Sequence, residues 1–387
     1  MADRTSIEWT DATWNPIRAA RYVPLPGAGE SDLGDLKRGW HCEKVSPGCA
    51  NCYAEPINRR LGTGLDYKPG HRASLDVFLD ERALDVPLRW KRPRKIFVGS
   101  MTDLFADFVA DEMLDRVFAM MALCPQHVFQ LLTKRPARMR RYLNDPRTAR
   151  RIWDEVCDRV VAEEMPVVLT HKHLADVERV ASFPASLPRV EIGRWPLPNV
   201  WLGVSAEDQQ RADERIPELL ATPAAVRWIS AEPLLGPVDL ASIDDGLKDG
   251  VHLIFDALTG LAHDGEESVT GIFGQPDPRI DWVIAGGESG PNARPMHPDW
   301  ARRLRDLCAH AGTPFLFKQW GEFAPAFDHD LKPLRGKPWT GAAQRAVARG
   351  EATLAEATVR VGRKTAGRLL DGVLHDAFPA AIAEART

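Results

Sequence analysis

The sequence predicts an α/β protein whose parallel strands are wound as a (β/α) barrel, partial or complete. Three observations lead there. Short apolar runs recur along the chain, each ending in polar residues and followed by helix-compatible sequence. The runs are continuously apolar rather than alternating, as in strands buried on both faces. The stretches between them are long enough for right-handed helical crossovers. About seven such units fit, and a barrel accommodates them most economically.

A first strand falls within Ile7–Pro16. The next five runs, each with its polar end, are Lys95–Asp103, His127–Arg135, Asn199–Asp208, Val226–Pro233 and Asp281–Ser289, and Pro314–Trp320 closes the series. Asp111–Leu123 and Asp299–Ala309 carry helical periodicity and serve as crossovers. Residues 1–325 are thus expected to form the barrel, and 326–387 a C-terminal extension, where the composition turns to Ala, Arg and Gly with an amphipathic helix and a basic stretch. Residues 142–198 read as an insertion with its own helix and a strand at Pro166–Thr170, and residues 241–280, rich in Asp and Gly, as a surface loop or lid. The sequence Gly-x-x-x-x-Gly in the tail lacks the Gly-Lys-Ser/Thr ending of a phosphate loop.

Composition limits the function classes. The 387 residues are 44% hydrophobic and 27% charged, as in a soluble globular protein. No apolar run approaches the roughly 20 residues needed to span a bilayer. Met1-Ala-Asp-Arg has no apolar signal core, so a cytoplasmic location and no membrane partner are expected. A net charge of −4 gives no global attraction to nucleic acid, which leaves local patches such as Lys134–Arg141. Of the 12 tryptophans, Trp9, Trp14, Trp201, Trp228, Trp282 and Trp320 lie in or beside apparent strands and are expected in the core.

In a barrel, function sits at the C-terminal strand ends. Those ends here carry Ser100, Thr102 and Asp103, then Thr133 and Lys134, Ser205 and Glu207, Ser230 and Glu232, Gly287 and Glu288, and Lys318 and Gln319. Each could simply cap the following helix or pair with a neighbour. A whole ring of such groups points to a ligand.

The most specific chemistry lies in His41-Cys-Glu-Lys-Val-Ser-Pro-Gly-Cys-Ala-Asn-Cys-Tyr53, where Cys42, Cys49 and Cys52 are spaced C-x6-C-x2-C. Three thiolates can hold three corners of a 4Fe–4S cubane and leave the fourth iron open to a small molecule. The same cysteines, with His41 or a distant residue, could instead hold a structural zinc ion. Cys124, Cys157 and Cys308 stand singly and read as buried thiols.

A cysteine loop after the first strand of a parallel barrel resembles the radical S-adenosylmethionine (SAM) superfamily. The superfamily's usual spacing is C-x3-C-x2-C, so the first interval here is longer, while the C-x2-C half and an aromatic, Tyr53, are kept. Further runs resemble the bacterial and phage Gp37/Gp68 family, a domain of unknown function. They are Thr5–Pro16, Val45–Glu55, Gly286-Gly-Glu-Ser-Gly, Phe317-Lys-Gln-Trp-Gly and Gly367-Arg-Leu-Leu-Asp-Gly. The resemblance implies SAM chelating the open iron, reductive cleavage to a 5′-deoxyadenosyl radical, and hydrogen abstraction from substrate. An electron donor such as flavodoxin or ferredoxin would be needed. By position, Ser100, Thr102 and Asp103 replace the missing glycine-rich motif that receives the SAM amino group, Ser205 and Glu207 suit the ribose, and Glu232 lines the same ring. The phage association suggests a nucleic acid or nucleotide substrate, as for an isomerase acting on hypermodified thymine in phage DNA, or a lesion-repairing lyase of the same chemistry. A zinc-stabilised binding protein without catalysis is the competing class. A zinc hydrolase would need His or carboxylate ligands, and no His-Glu-x-x-His occurs.

Overall fold

A computed structural model describes residues 5–23, 34–162, 168–171, 189–248, 251–263, 268–269, 278–325, 337–338 and 358–380. Its main sheet has seven strands. These are β1 (Ala12–Trp14), β2 (Lys95–Val98), β3 (Val128–Thr133), β4 (Val200–Ser205), β5 (Val226–Ala231), β6 (Trp282–Gly286) and β7 (Phe315–Gln319). They follow one another across the sheet in chain order. The registers of β1 with β2, β2 with β3, β5 with β6 and β6 with β7 are all parallel. An order without reversal is the winding of a (β/α) barrel, not of a doubly wound sheet. Among the described residues no pairing joins β1 to β7, so the topology is that of an open half-barrel.

The helices are α1 (Ala54–Leu61), α2 (Asp111–Ala122), α3 (Pro136–Asn144), α4 (Thr148–Ala162), α5 (Gln209–Leu220) and α6 (Pro298–Ala311). Their ends are built from local sequence. Asp208 caps α5 by accepting from the Arg211 amide at 2.9 Å. Pro298 occupies the first turn of α6, and Gly312 ends it at φ 71°, where a side chain would be strained.

The chain divides into two compact units. The first comprises Met1–Val45, Ala54–Leu202 and Thr222–Ala225, and the second Ser46–Tyr53, Gly203–Ala221 and Val226–Thr387. In the first unit, Trp9 stacks on Phe97 with centroids 4.7 Å apart and Trp14 on Phe129 at 5.6 Å. Helix α2 buries Leu114, Val117, Phe118 and Met121 in this core. In the second unit, Trp228 meets Trp282 at 5.6 Å, and the Trp282 indole donates to the Ala377 carbonyl at 2.8 Å. Gly203 lies so close beneath Trp228 that a Cβ there would sit 2.4 Å from the ring. All six tryptophans expected in the core are buried, and truncating one to Ala would cost about 3–5 kcal/mol.

Several stretches differ from expectation. Between β1 and β2 the chain forms an antiparallel sheet in which Ile17–Val23 lies between Asp35–Gly39 and Asp76–Leu79. Residues 241–280 are not a plain loop, because Ile243–Lys248, Val251–Phe255, Ala262–His263 and Ser268–Val269 make a four-stranded antiparallel sheet. Asp and Gly at its turns hid the short strands between them. In 142–198 the expected helix is α4 and the expected strand is Val168–His171, which pairs in parallel with Arg189–Ile192. Pro166 and residues 172–188 of this insertion lie outside the described residues. In the extension, Phe323–Pro325, Thr358–Arg360 and Lys337–Pro338 form a small antiparallel sheet, and Arg363–Ala366 is a single helical turn. Residues 339–357 lie outside the described residues.

Candidate functional site

The cysteine loop begins in the first unit, where the ends of β2 and β3 hold it. Asp103, just past β2, accepts from the Thr133 hydroxyl at 2.7 Å, the Lys134 amide at 3.1 Å, the Phe105 amide at 3.0 Å and Arg135 Nη1 at 3.0 Å. Arg135 in turn donates through Nη2 to the Glu43 carbonyl at 3.1 Å and lies against the Cys42 sulfur. Burial alone would lower the Arg135 pKa, but the neighbouring Asp103 and Cys42 raise it above its ordinary value. A permanent cation therefore stands beside the first cysteine. Lys44 pairs with Glu55 at 2.8 Å, Glu55 accepts from the Tyr67 amide at 2.9 Å, and the Tyr67 hydroxyl donates to the Met101 carbonyl at 2.8 Å. His41 is buried with its ring 4.9 Å from Phe108, and Nε2 faces Glu43 at 3.4 Å. Desolvation lowers its pKa despite that carboxylate, so the imidazole is held neutral near pH 7.

The rest of the loop, Ser46–Tyr53, belongs to the second unit and is held by two carboxylates. Glu207, two residues past β4, has no solvent exposure. Its Oε1 accepts from the Gly48 amide at 3.1 Å and its Oε2 from Arg215 at 2.9 Å. Arg215, on α5, also donates to the Ser205 carbonyl at 2.8 Å. Gly48 is needed here for its size, since a Cβ would lie 3.0 Å from Glu207 Oε1. Glu288, past β6, accepts from Asn51 Nδ2 at 3.0 Å and from three Arg294 groups: the amide at 2.8 Å, Nε at 2.9 Å and Nη2 at 2.6 Å. Arg294 closes the circuit by donating to the Pro47 carbonyl at 3.0 Å. Burial pushes the Glu288 carboxyl up, but the bonds from Arg294 and Asn51 outweigh it and hold it below the ordinary value.

None of the six cysteines is in a disulfide; Cys42, Cys49 and Cys52 are half-buried and Cys49 Sγ lies 3.8 Å from the Ser46 hydroxyl. Cys124 and Cys308 are buried as expected, and desolvation pushes both thiols up to about 12. Cys157 is only half-buried because it lies on the partly exposed face of α4. Soft thiols of this spacing suit iron–sulfur ligation by donor chemistry. Among the described residues, no group of three or more His, Cys, Asp or Glu is arranged to hold a metal ion, so the three sulfurs are not gathered as a ready-made ligand set.

The remaining strand-end residues separate by how they are engaged. Ser100 exchanges hydrogen bonds with the Asn15 side chain at 3.0 and 3.2 Å. Thr102 is buried, and its hydroxyl has no hydrogen-bond partner among the described residues. Ser205 is buried at the end of β4. Glu232 forms an ion pair with Lys318 at 2.9 Å, and Gly286 gives it room, since a Cβ there would lie 2.8 Å from Glu232 Oε1. The sequence reading put carboxylates at strand ends but missed Arg215, Arg294 and Asn51, which bind them. No local spacing links these partners: Asn51 and Glu288 are 237 positions apart. In the basic segment, Arg135 is committed to Asp103 and Glu43, and Arg138 to Asp111 at 2.6 Å and the Val109 carbonyl at 2.8 Å.

A family model described as a protein of unknown function, DUF5131, matches residues 38–379. That span takes in the cysteine loop and all strand ends from β2 onward. No curated protein and no solved structure matches the chain.

Proposed function

Because the chain belongs to the DUF5131 family of proteins of unknown function, we propose its activity from the site: a radical SAM-type enzyme with Cys42, Cys49 and Cys52 as ligands of a 4Fe–4S cluster. The observation that carries this reading is the loop itself, three thiols outside any disulfide in a C-x6-C-x2-C run whose two arms are tied to strand-end residues. A bound cluster with SAM would supply one electron to the sulfonium and yield a 5′-deoxyadenosyl radical able to abstract hydrogen from substrate. The chain's own groups prepare for it. Arg135 sets a positive charge beside Cys42 that offsets the charge of a metal-bound thiolate. Glu207 and Glu288 hold Gly48 and the Asn51 side chain, which fixes the chain on either side of Cys49 and just before Cys52. A buried hydroxyl without a partner is costly unless a ligand completes it, so Thr102 is the best-supported SAM contact, with Ser100 beside it. Ser205 is the ribose candidate. Glu207 and Glu232 already accept strong bonds within the chain and serve first as supports.

The substrate reading is a nucleic acid or nucleotide, and it draws on the resemblance to the phage Gp37/Gp68 family. Isomerisation of a hypermodified thymine and lyase repair of a lesion both fit. The test is anaerobic reconstitution followed by iron, sulfide and zinc analysis, with SAM turnover measured by release of 5′-deoxyadenosine under a flavodoxin or chemical reductant. Iron and sulfide in a four-to-four ratio, with a brown chromophore lost in Cys→Ala variants, are expected for the cubane. Stoichiometric zinc without sulfide would move the protein to the class of zinc-stabilised binding modules.

A further inference from the structure

The antiparallel sheet between β1 and β2 has a face that the barrel does not use. The middle strand Ile17–Val23 alternates: Ile17 and Ala19 are buried, and Arg21 turns inward to donate to the Thr63 carbonyl at 2.7 Å. The opposite face carries Arg18, Ala20 and Tyr22. Register extends that face sideways, since Tyr22 is opposite Leu36, Ala20 lies between Arg38 and Asp76, and Arg18 is opposite Phe78. Tyr22, Leu36, Arg38, Asp76 and Phe78 line an open groove of about 750 Å³ together with Ala20, and Arg18 lies outside that lining.

Two features of the groove call for a charged, aromatic partner. Tyr22 is 61% exposed and Leu36 42%, although a sheet face normally covers such groups. Arg18 stacks over Trp40 at 4.2 Å, yet its buried Nε donates no hydrogen bond among the described residues. Burial disfavours the Arg18 charge, Asp80 favours it, and Arg38, exposed on the neighbouring strand, opposes it more weakly than Asp80 supports it. Arg21 and Arg38 line the groove against the single carboxylate of Asp76, which gives it a local positive charge on a chain whose net charge is −4.

We propose that this sheet face, with Tyr22 as a stacking platform and Arg38 as a phosphate contact, binds a single-stranded nucleic acid. An aromatic side chain on an open β-surface stacks a base whatever its sequence, and flanking arginines track the backbone. A nucleic-acid strand supplies a row of anions beside flat rings, whereas a second copy of this chain would bring its own Arg38 to the same place. The inference gives the proposed nucleic-acid substrate a surface to arrive on, but its evidence is independent of the cluster. It also replaces Arg135 and Arg138, which are held internally, as the first site of strand binding.

The experiment uses the full chain without added iron or SAM, so that failure here is distinct from failure of the radical chemistry. Fluorescence anisotropy would follow a labelled oligothymidylate of about 12 nucleotides, within the usual range of single-strand sites. Wild type should bind with an affinity that falls steeply with salt. Tyr22→Ala should weaken binding by about fivefold to a hundredfold. Arg38→Glu should flatten the salt dependence by at least about one ion. Arg150→Glu, an exposed change on α4, should bind as wild type. Photocrosslinking of thiothymidine in the same oligonucleotide should label residues 17–23 or 35–39, which keeps the assignment testable if a variant misfolds. Wild type that ignores the oligonucleotide at low salt would overturn the proposal. So would crosslinks elsewhere, folded Tyr22→Ala and Arg38→Glu proteins that bind undiminished, or concentration-dependent self-association abolished by Tyr22→Ala.

Discussion

Replacing Glu207 separates a structural clamp from a cofactor ligand. The carboxylate is fully buried and its two oxygens accept from the Gly48 amide and from Arg215, whose side chain is only 5% exposed. Glu207→Ala leaves a buried guanidinium with only the Ser205 carbonyl, and breaking such a pair costs about 3–5 kcal/mol. Glu207→Gln keeps the shape and one acceptor oxygen, so one of the two bonds is lost and a buried donor is set against an amide NH2. Leaving such a donor unsatisfied costs about 1–3 kcal/mol. Adding Arg215→Met to Glu207→Gln removes the orphaned cation and should recover part of the loss. Urea titration gives these differences as midpoint shifts at constant slope. Limited proteolysis within 46–53 should quicken in the same order, because the Gly48 bond is lost or weakened. A Glu207→Ala protein within about 0.5 kcal/mol of wild type, but defective in SAM binding, would refute the clamp and restore Glu207 as a ribose ligand.

Three further outcomes follow from the same contacts. Gly287→Ala would put a Cβ 2.0 Å from the Trp320 carbonyl, a backbone atom with no rotamer to relieve it, so unfolding midpoints should drop by about 3 kcal/mol or more. Arg135→Met should cost about 1.5–3 kcal/mol and, in reconstituted protein, speed iron release to a chelator, since it removes the bond to Asp103 and the cation beside Cys42. The Glu288 carboxyl is held below its ordinary value of 4.5, so its bonds to Asn51 and Arg294 add stability that is fully present above that value. The contribution is lost as pH falls through the lower, folded value; wild type should therefore lose more stability on acidification below pH 4.5 than Glu288→Gln, measured by thermal melts across that range.

The strand count was readable because a parallel strand buried on both faces must be apolar along its whole length. Each run from Lys95–Val98 to Phe315–Gln319 announces itself without reference to the rest of the chain. The three short strands of the sheet beneath Tyr22 gave no such sign. Arg18, Arg21, Lys37 and Arg38 interrupt them, and only pairing across the register makes them strands. The same division runs through the site. Cys42, Cys49 and Cys52 are neighbours in sequence, and their spacing alone states the chemistry they suit. Glu207 and Glu288 were visible as charged residues at strand ends, where a ligand is the natural inference. Folding brings Arg215, Gly48, Asn51 and Arg294 to them from as far as 237 positions away. A buried carboxylate is defined by what neutralises it, and here the neutralising groups arrive only with the tertiary fold.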